Sequence, residues 1–512
     1  MTKLVARRLM SIACRPISLP WTLRILAVSL LAAPAMGIGM AAQDNPSPDH
    51  RARHRQYTVI DMGTFGGPGS LFSNPGSNVI NDRGTATGIA DTPFPDPDCV
   101  FDCWVNHGFV WKNGTRTELR SLPGGASNFP VWINNDGLTA GASQNGVIDP
   151  LTAFPEYRAV LWSSSGRITE LATLGGNQSA ANAIGDHDEV VGGALNTIAD
   201  PYASAITENF VFFAPAATQT RATLWHNGAV HDLGTLGGND AVAMLVNNQS
   251  QVAGVSYTNT TPNPVTGRLT IDPFFWDRGR IRDLGTLGGT FGYPNWLNNV
   301  GQVVGQSNLS GDQIVHPFLS NRGKAMQDLG TLGGDSGIAF WINDAGEVVG
   351  QADLPGSGTQ AHDAFLWRRG VMTDLGTVGS DPCSRALSIN SQGQIVGAST
   401  TCTEYLHGFL WENGGPMVDL NDLVVNGSGL IVRDADQIND RGEIAGRGVL
   451  PNGDVHAILL IPSGECDRWC DDRIAASTSN PALAREPVKN EAREQMAVHI
   501  PRRAADSPRP PH

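Results

Sequence analysis

From Tyr57 onward the apolar residues come in short runs, and the runs recur in a fixed order. One is a strand-like stretch ending on an acidic residue, as in Gly370-Val-Met-Thr-Asp374-Leu375. It leads into the phrase Asp-Leu-Gly-Thr-Leu-Gly-Gly, intact at Asp232–Gly238, Asp283–Gly289 and Asp328–Gly334. Looser copies begin at Asp61, Glu118, Glu170, Asp374 and Asp419, so the phrase returns every 45–62 residues. A self-similar period of that size predicts a repeat architecture.

A second phrase follows each copy. Its cleanest form is Ile342-Asn343-Asp344-Ala345-Gly346-Glu347-Val348-Val349-Gly350. The Asn recurs at Asn81, Asn134, Asn247, Asn298, Asn390 and Asn439, with Gly185 in one degenerate copy. Asn followed three residues later by Gly predicts a type I turn closed by a left-handed residue, and hence a hairpin. A calcium loop fits poorly, because the carboxylate is missing at Asn248-Gln249-Ser250 and Asn299-Val300.

The third phrase is aromatic: His107-Gly-Phe-Val-Trp111, Arg158-Ala-Val-Leu-Trp162, Arg221-Ala-Thr-Leu-Trp225, Asp272-Pro-Phe-Phe-Trp276, Asp363-Ala-Phe-Leu-Trp367 and His407-Gly-Phe-Leu-Trp411. His316-Pro-Phe-Leu and His456-Ala-Ile-Leu-Leu are weaker forms. Alternation puts His407, Phe409 and Trp411 on one sheet face and Gly408 and Leu410 on the other. Both faces are apolar or small, which predicts sheets sandwiched between neighbours and assigns the recurring Trp to the core.

Each repeat therefore predicts four short strands, which is one blade of a β-propeller. The phase predicts how the ring closes. The series opens with a lone acidic-ended strand, Tyr57-Thr-Val-Ile-Asp-Met62, and ends with an aromatic-type strand, His456–Ile461, that lacks its acidic partner. Eight complete blades result if the first strand completes the last, which removes an open edge. Seven blades or an open β-solenoid are the alternatives.

These phrases resemble the HAF repeats, a bacterial extracellular repeat family named after its His-Ala-Phe motif, over about residues 57–462. The resemblance implies a secreted or surface protein and brings no established activity or catalytic residue. The full His-Ala-Phe string is absent; His-Gly-Phe, Asp-Ala-Phe and His-Pro-Phe stand in its place.

Composition agrees with a turn-rich β protein: 60 Gly and 32 Pro in 512 residues, with 16% charged. Residues 1–56 carry a net charge of about +6 and 471–512 about +1, which leaves roughly −21 on the body; such a surface repels phosphate backbones and argues against nucleic-acid binding. Lys3, Arg7, Arg8, Arg15 and Arg24 precede a charge-free run from Ile25 to Gln43 with small residues at its end. That is the pattern of an export signal, so 1–42 is expected to be removed, 43–56 to be a linker, and the protein to be periplasmic or secreted with no stable membrane insertion. Residues 57–470 are the expected propeller, and 471–512, rich in Ala, Arg, Pro and Glu, an expected disordered tail with a short helix near Leu483–Met496.

Cys14 lies in the signal, and six cysteines remain in three local pairs: Cys99/Cys103, Cys383/Cys402 and Cys466/Cys470. Export favours disulfides, although six cysteines allow fifteen connectivities. Cys383 and Cys402 flank the turn at Asn390–Gly393 symmetrically, as a hairpin staple would. A zinc reading of Cys99, Cys103 and His107 lacks a fourth ligand.

No nucleophile elbow, His-Glu-x-x-His helix or phosphate loop is present, and the residues indicate no catalytic group, metal or cofactor. The recurring His107, His316, His407 and His456 sit in different blades, where each is expected to bond the Asp of a neighbouring strand. His187 breaks the repeat pattern within a turn. Asymmetry is the better guide to a site. The connection between hairpin and aromatic strand is short in later repeats, as at Asn308–Val315, but long in the first four: Asp91–Asn106, Gln144–Tyr157, Leu195–Thr220 and Tyr257–Ile271. These insertions carry Phe94, Phe101, Trp104, Phe154, Tyr157, Tyr202, Phe210, Phe212 and Phe213, with Asp96, Asp98 and Asp102. Emerging on one face, they are expected to form an aromatic, acidic rim, or else to cover one another or a neighbouring subunit. The expected function is non-catalytic binding of an extracellular glycan or protein through this rim. A polysaccharide hydrolase or lyase, and a structural cell-surface role, are the alternatives.

Overall fold

The computed structural model describes residues 54–72, 76–97, 103–203, 206, 215–264, 267–356, 361–426 and 429–463. Each repeat folds as an antiparallel sheet with its strands in sequence order. In the sixth, Gly337–Ile342 pairs with Val348–Asp353, that strand with His362–Arg368, and that with Val371–Asp374. Among the described residues there are eight such four-stranded units, two of which meet through one parallel contact between Ile271 and Phe291. The fold is a β-propeller.

The last unit holds Ile431–Ile438, Ile444–Val449 and Val455–Pro462, and its fourth strand is Tyr57–Asp61, the first of the chain. Tyr57 lies opposite Pro462 and Asp61 opposite Ile458. The last unit also packs on the first: Met62, Phe72, Ile80 and Phe109 share one buried cluster with Ala445, Ala457, Leu459 and Ile461. An open solenoid would leave these two faces apart, so that alternative falls.

The repeat phrases have local causes. Each Ile-Asn turn is held by its own side chain: Asn81 Oδ1 accepts from the backbone N–H of Arg83 at 3.0 Å and of Thr85 at 2.9 Å. Gly84 closes the turn at φ +73°, where an L side chain is strained. The glycine of Val-Val-Gly answers a bulge. In the sixth unit the register slips between Ala339 and Trp341, and a Cβ at Gly350 would lie 1.9 Å from the carbonyl oxygen of Ile338. The bare backbone of Gly350 is covered by its cross-strand partner Phe365, which is fully buried. Gly88 with Phe109, Gly254 with Phe274, Gly305 with Phe318 and Gly397 with Phe409 repeat this pair.

The aromatic-strand tryptophans are core, as expected. Trp111, Trp162, Trp225 and Trp367 are buried. Trp162 Nε1 donates to the carbonyl of Arg120 at 2.9 Å and Trp225 Nε1 to that of Ala172 at 2.6 Å, so each tethers its blade to the loop entering it. The Gly-Gly of the Asp-Leu-Gly phrase serves packing: a Cβ at Gly125 would lie 1.8 Å from the carbonyl oxygen of Gln144.

Cys383 and Cys402 are bonded, with Cα atoms 5.0 Å apart. Cys383 opens the strand Cys383–Ile389 opposite Thr400, so the bond closes the free end of the hairpin. Cys103 is disulfide-bonded too. Cys99, Cys466 and Cys470 lie outside the described residues, as do the expected signal, most of the expected linker and the expected tail. Among the described residues no helix is long and apolar enough to cross a membrane.

Candidate functional site

Three of the four recurring histidines pair with the acidic residue of the neighbouring strand, the structural role expected of them. His316 Nδ1 lies 2.9 Å from both carboxylate oxygens of Asp328, His107 Nδ1 is 2.5 Å from Glu118 Oε1, and His456 Nδ1 is 2.8 Å from Asp61 Oδ1 across the closing strand. His407 instead meets Asp381, in the loop following the preceding unit, at 2.8 Å. Arg158 and Arg221 fill the same position and pair with Glu170 and Asp232. Where the position holds Asp, two carboxyls face each other. Asp272 is pushed up to about 7, by burial first and by Asp283 second, and Asp363 to about 6, by burial and Asp374. His187 is exposed in its turn.

The insertions extend from one end of the strands, and among the described residues two of the expected rim aromatics are exposed while three are buried or half-buried. Tyr157 is a core residue at 2% exposure: its ring meets Phe129 at 6.0 Å and its hydroxyl accepts from Gln144 Nε2 at 3.0 Å. Phe154 is half-buried against the same cluster, and Trp104 is half-buried in the strand Trp104–Lys112. Phe94, at 66%, and Tyr202, at 39%, are exposed. Phe101, Phe210, Phe212 and Phe213 lie outside the described residues. What the insertions do expose is mostly aliphatic: Val147, Ile148 and Leu151 in the second unit, and Ile198 in the third. Asp98 and Asp102 lie outside the described residues, while acidic residues of the second and third insertions tie each to the next blade. Asp149 accepts from Asn177 Nδ2 at 3.0 Å and Gln178 Nε2 at 3.2 Å, and Asp200 accepts from Asn239 Nδ2. The alternative that the loops cover one another holds in this part.

At the other end of the strands the Ile-Asn turns converge on the axis. Asn81 Nδ2 donates to the carbonyl of Asn134 at 2.8 Å, and Asn134 Nδ2 to that of Gly185 at 3.1 Å. The series resumes from Asn247 to Asn298, Asn343, Asn390, Asn439 and back to Asn81, at 2.9–3.2 Å. Only Gly185, without a side chain, cannot donate; Ser250 Oγ bridges that junction to Glu189 Oε1 at 2.6 Å. A second tier lies one residue on. The backbone N–H of Asp82 donates to Asn135 Oδ1, that of Asn135 to Asp186 Oδ1, and that of Asp186 to Asn248 Oδ1. The N–H of Asn248 continues to Asn299 Oδ1, that of Asn299 to Asp344 Oδ1, that of Ser391 to Asp440 Oδ1, and that of Asp440 to Asp82 Oδ1.

These two tiers frame a cavity of about 220 Å³ on the axis, lined by all eight units. Its floor is a stack of three tryptophans. Trp296 lies between Trp132, at 5.3 Å, and Trp341, at 3.3 Å between ring centroids. Its lining is apolar at Ile80, Ile184, Val246, Leu297, Ile342 and Ile389, and polar at Asn78 and Gln437 and at the ring asparagines. Its rim carries four carboxyls, and no Lys, Arg or His lines it. Burial, with repulsion from Asp440 and Asp186, raises the carboxyl of Asp82 above the ordinary range against the hydrogen bond from the Asp440 backbone. This pocket was not foreseen. Its one sequence signal is the Trp two places before the turn Asn in the second, fifth and sixth repeats.

No protein-family model matches the sequence, and no curated protein does. Among solved structures the chain is similar to the β-propeller domain of the trilobed protease from Pyrococcus furiosus, at 7% identity and TM-score 0.38, covering 71% of this chain and 95% of that one. It is also similar to a puromycin-hydrolyzing peptidase of Mycobacterium tuberculosis, at 14% identity and TM-score 0.41, over 78% of this chain and 62% of that one. A Trypanosoma rangeli sialidase matches at 10% identity and TM-score 0.32, over 82% and 61%.

Proposed function

We propose that this is an exported, non-catalytic propeller that binds an extracellular partner at the strand ends bearing the long insertions. The observation that carries the reading is the exposed apolar side chains of Phe94, Val147, Ile148, Leu151, Ile198 and Tyr202, on insertions of three successive blades. Apolar exposure grouped in this way marks interaction surfaces. Among the described residues four of the six are aliphatic, which favours a protein partner over a glycan, whose sites rely on aromatic stacking. The residues at the recurring His position face their own acidic partners and are engaged in packing, which supports a binding role over hydrolysis.

The test compares the wild-type protein with a Phe94→Ser/Ile148→Ser/Ile198→Ser variant on isolated cell envelopes and on a glycan array. Saturable envelope binding that the variant loses, with a blank array, supports the reading. Retention on the array that survives the substitutions, or release of cleaved sugar, overturns it.

A further inference from the structure

The geometry points to a second binding site, the axial pocket at the turn end, for a small organic cation carrying an ammonium group on an apolar stem. This inference is independent of the reading above, because the pocket opens at the opposite ends of the strands from the insertions.

The structural demand at the rim is modest. Each rim side chain must offer one oxygen to the backbone N–H of the preceding blade. Asn135, Asn248 and Asn299 meet that demand with an amide oxygen at 3.1, 3.3 and 3.0 Å. Four other positions meet it with a carboxylate: Asp82, Asp186, Asp344 and Asp440. For the hydrogen bond, amide and carboxylate oxygens are equivalent acceptors. The second oxygens of Asp82, Asp186 and Asp344 also accept from the side-chain amides of Asn135, Asn248 and Asn299, so these carboxylates help to hold the rim; four like charges around one opening nonetheless repel.

Their use is read from what surrounds them. With no cationic side chain lining the pocket, the charge is not neutralised from within. Among the described residues no three His, Cys, Asp or Glu side chains lie close enough to hold a metal ion, so the carboxylates are spread around the mouth. A bare metal ion is thus a poor occupant. Below the rim aliphatic side chains stand beside Asn78 and Gln437, and the half-buried Trp296 forms the floor. An apolar well beneath an acidic mouth suits an amphipathic cation, with its stem removed from water and its ammonium left among the carboxylates. The strongly acidic body would draw such ligands toward it.

The test is calorimetric titration of the full chain with n-hexylamine hydrochloride, beside 1-hexanol and calcium chloride. The key variant is Asp82→Asn/Asp186→Asn/Asp344→Asn/Asp440→Asn, which keeps an acceptor oxygen for each backbone N–H of the rim and removes the charge, at the loss of the side-chain bonds from Asn135, Asn248 and Asn299. Saturable, salt-sensitive binding of hexylamine is expected, weakened about tenfold or more in the variant. Should that variant fail to fold, Asp82→Asn/Asp344→Asn replaces it, with about threefold weakening expected for two charges removed. Four outcomes overturn the inference: no binding of hexylamine, equal affinity in the charge-free variant, equal affinity for hexanol, or stoichiometric displacement of hexylamine by calcium.

Discussion

The side-chain amide of Asn439 donates to the backbone carbonyl of Asn81 at 2.9 Å, across 358 positions of sequence. It is one of the contacts in which the last turn meets the first, and it repeats what Asn81 does to Asn134. Asn439 is buried, and its Oδ1 also accepts from Arg441 and Glu443. Asn439→Ala should therefore lower unfolding free energy by about 1–3 kcal/mol. Urea titration checks this; a loss below a few tenths of a kcal/mol would mean that the ring does not depend on the junction.

Gly185 invites the reverse experiment. A Cβ there would meet Glu189 Oε2 at 3.4 Å and the carbonyl oxygen of Asn247 at 3.6 Å, and that carbonyl is the acceptor which an asparagine at this position would use. Gly185→Asn should supply the missing link and raise stability by about 0.5–1.5 kcal/mol. A lower melting temperature would show instead that the Ser250–Glu189 bridge fills the space.

Gly350→Ala tests the bulge. The new methyl carbon would fall 1.9 Å from Ile338 O and 2.8 Å from Phe365 Cε1. Backbone cannot give way as a flexible side chain can, so a loss of about 3 kcal/mol or more is expected, at the upper end for overpacking. Near-neutral behaviour in a denaturant titration would argue against the bulge.

Stability should depend on pH in an unusual direction. The carboxyls of Asp272 and Asp240 are pushed up to about 7, Asp363 to about 6 and Asp436 to about 8, burial being the first cause in each. An unfolded Asp titrates near about 3.9, so the folded protein holds more protons between roughly pH 4 and 8. The stability these groups contribute is complete below pH 4 and is lost as pH rises through 6 to 8. Melting temperature should accordingly fall from pH 5.5 to pH 8.5, and Asp272→Asn/Asp363→Asn should flatten the slope. A profile unchanged by the substitutions would remove the facing carboxyl pairs as its source.

The ring and its closing strand were legible because each phrase is local. A turn Asn, a bulge Gly and a covering Phe are fixed by neighbours a few residues away or one strand across, and the phase of the phrases fixes the rest. The pairing of His316 with Asp328 was legible for the same reason. The site was less so. Tyr157 reads as a loop aromatic, yet Phe129 and Gln144 draw it inward, and no local pattern announces that packing. Trp132, Trp296 and Trp341 come from the second, fifth and sixth blades and meet only because the ring brings them to one axis. Side chains that gather by symmetry leave little trace in the order of the chain.

The pairing of Tyr57–Asp61 with Val455–Pro462 also sets a timetable. The first of the described strands to leave the ribosome is the one whose partner emerges last. Until then Tyr57 and Val59, both buried in the finished ring, have no sheet to join. The seven intervening sheets can form in order from contacts close in sequence, but the ring cannot lock before the final strand arrives. Contacts so distant in sequence form slowly, and unpaired strands are prone to misassembly. A chain interrupted before Val455 would hold most of its sheets and still lack the eighth, so ring completion itself reports that synthesis has passed Pro462.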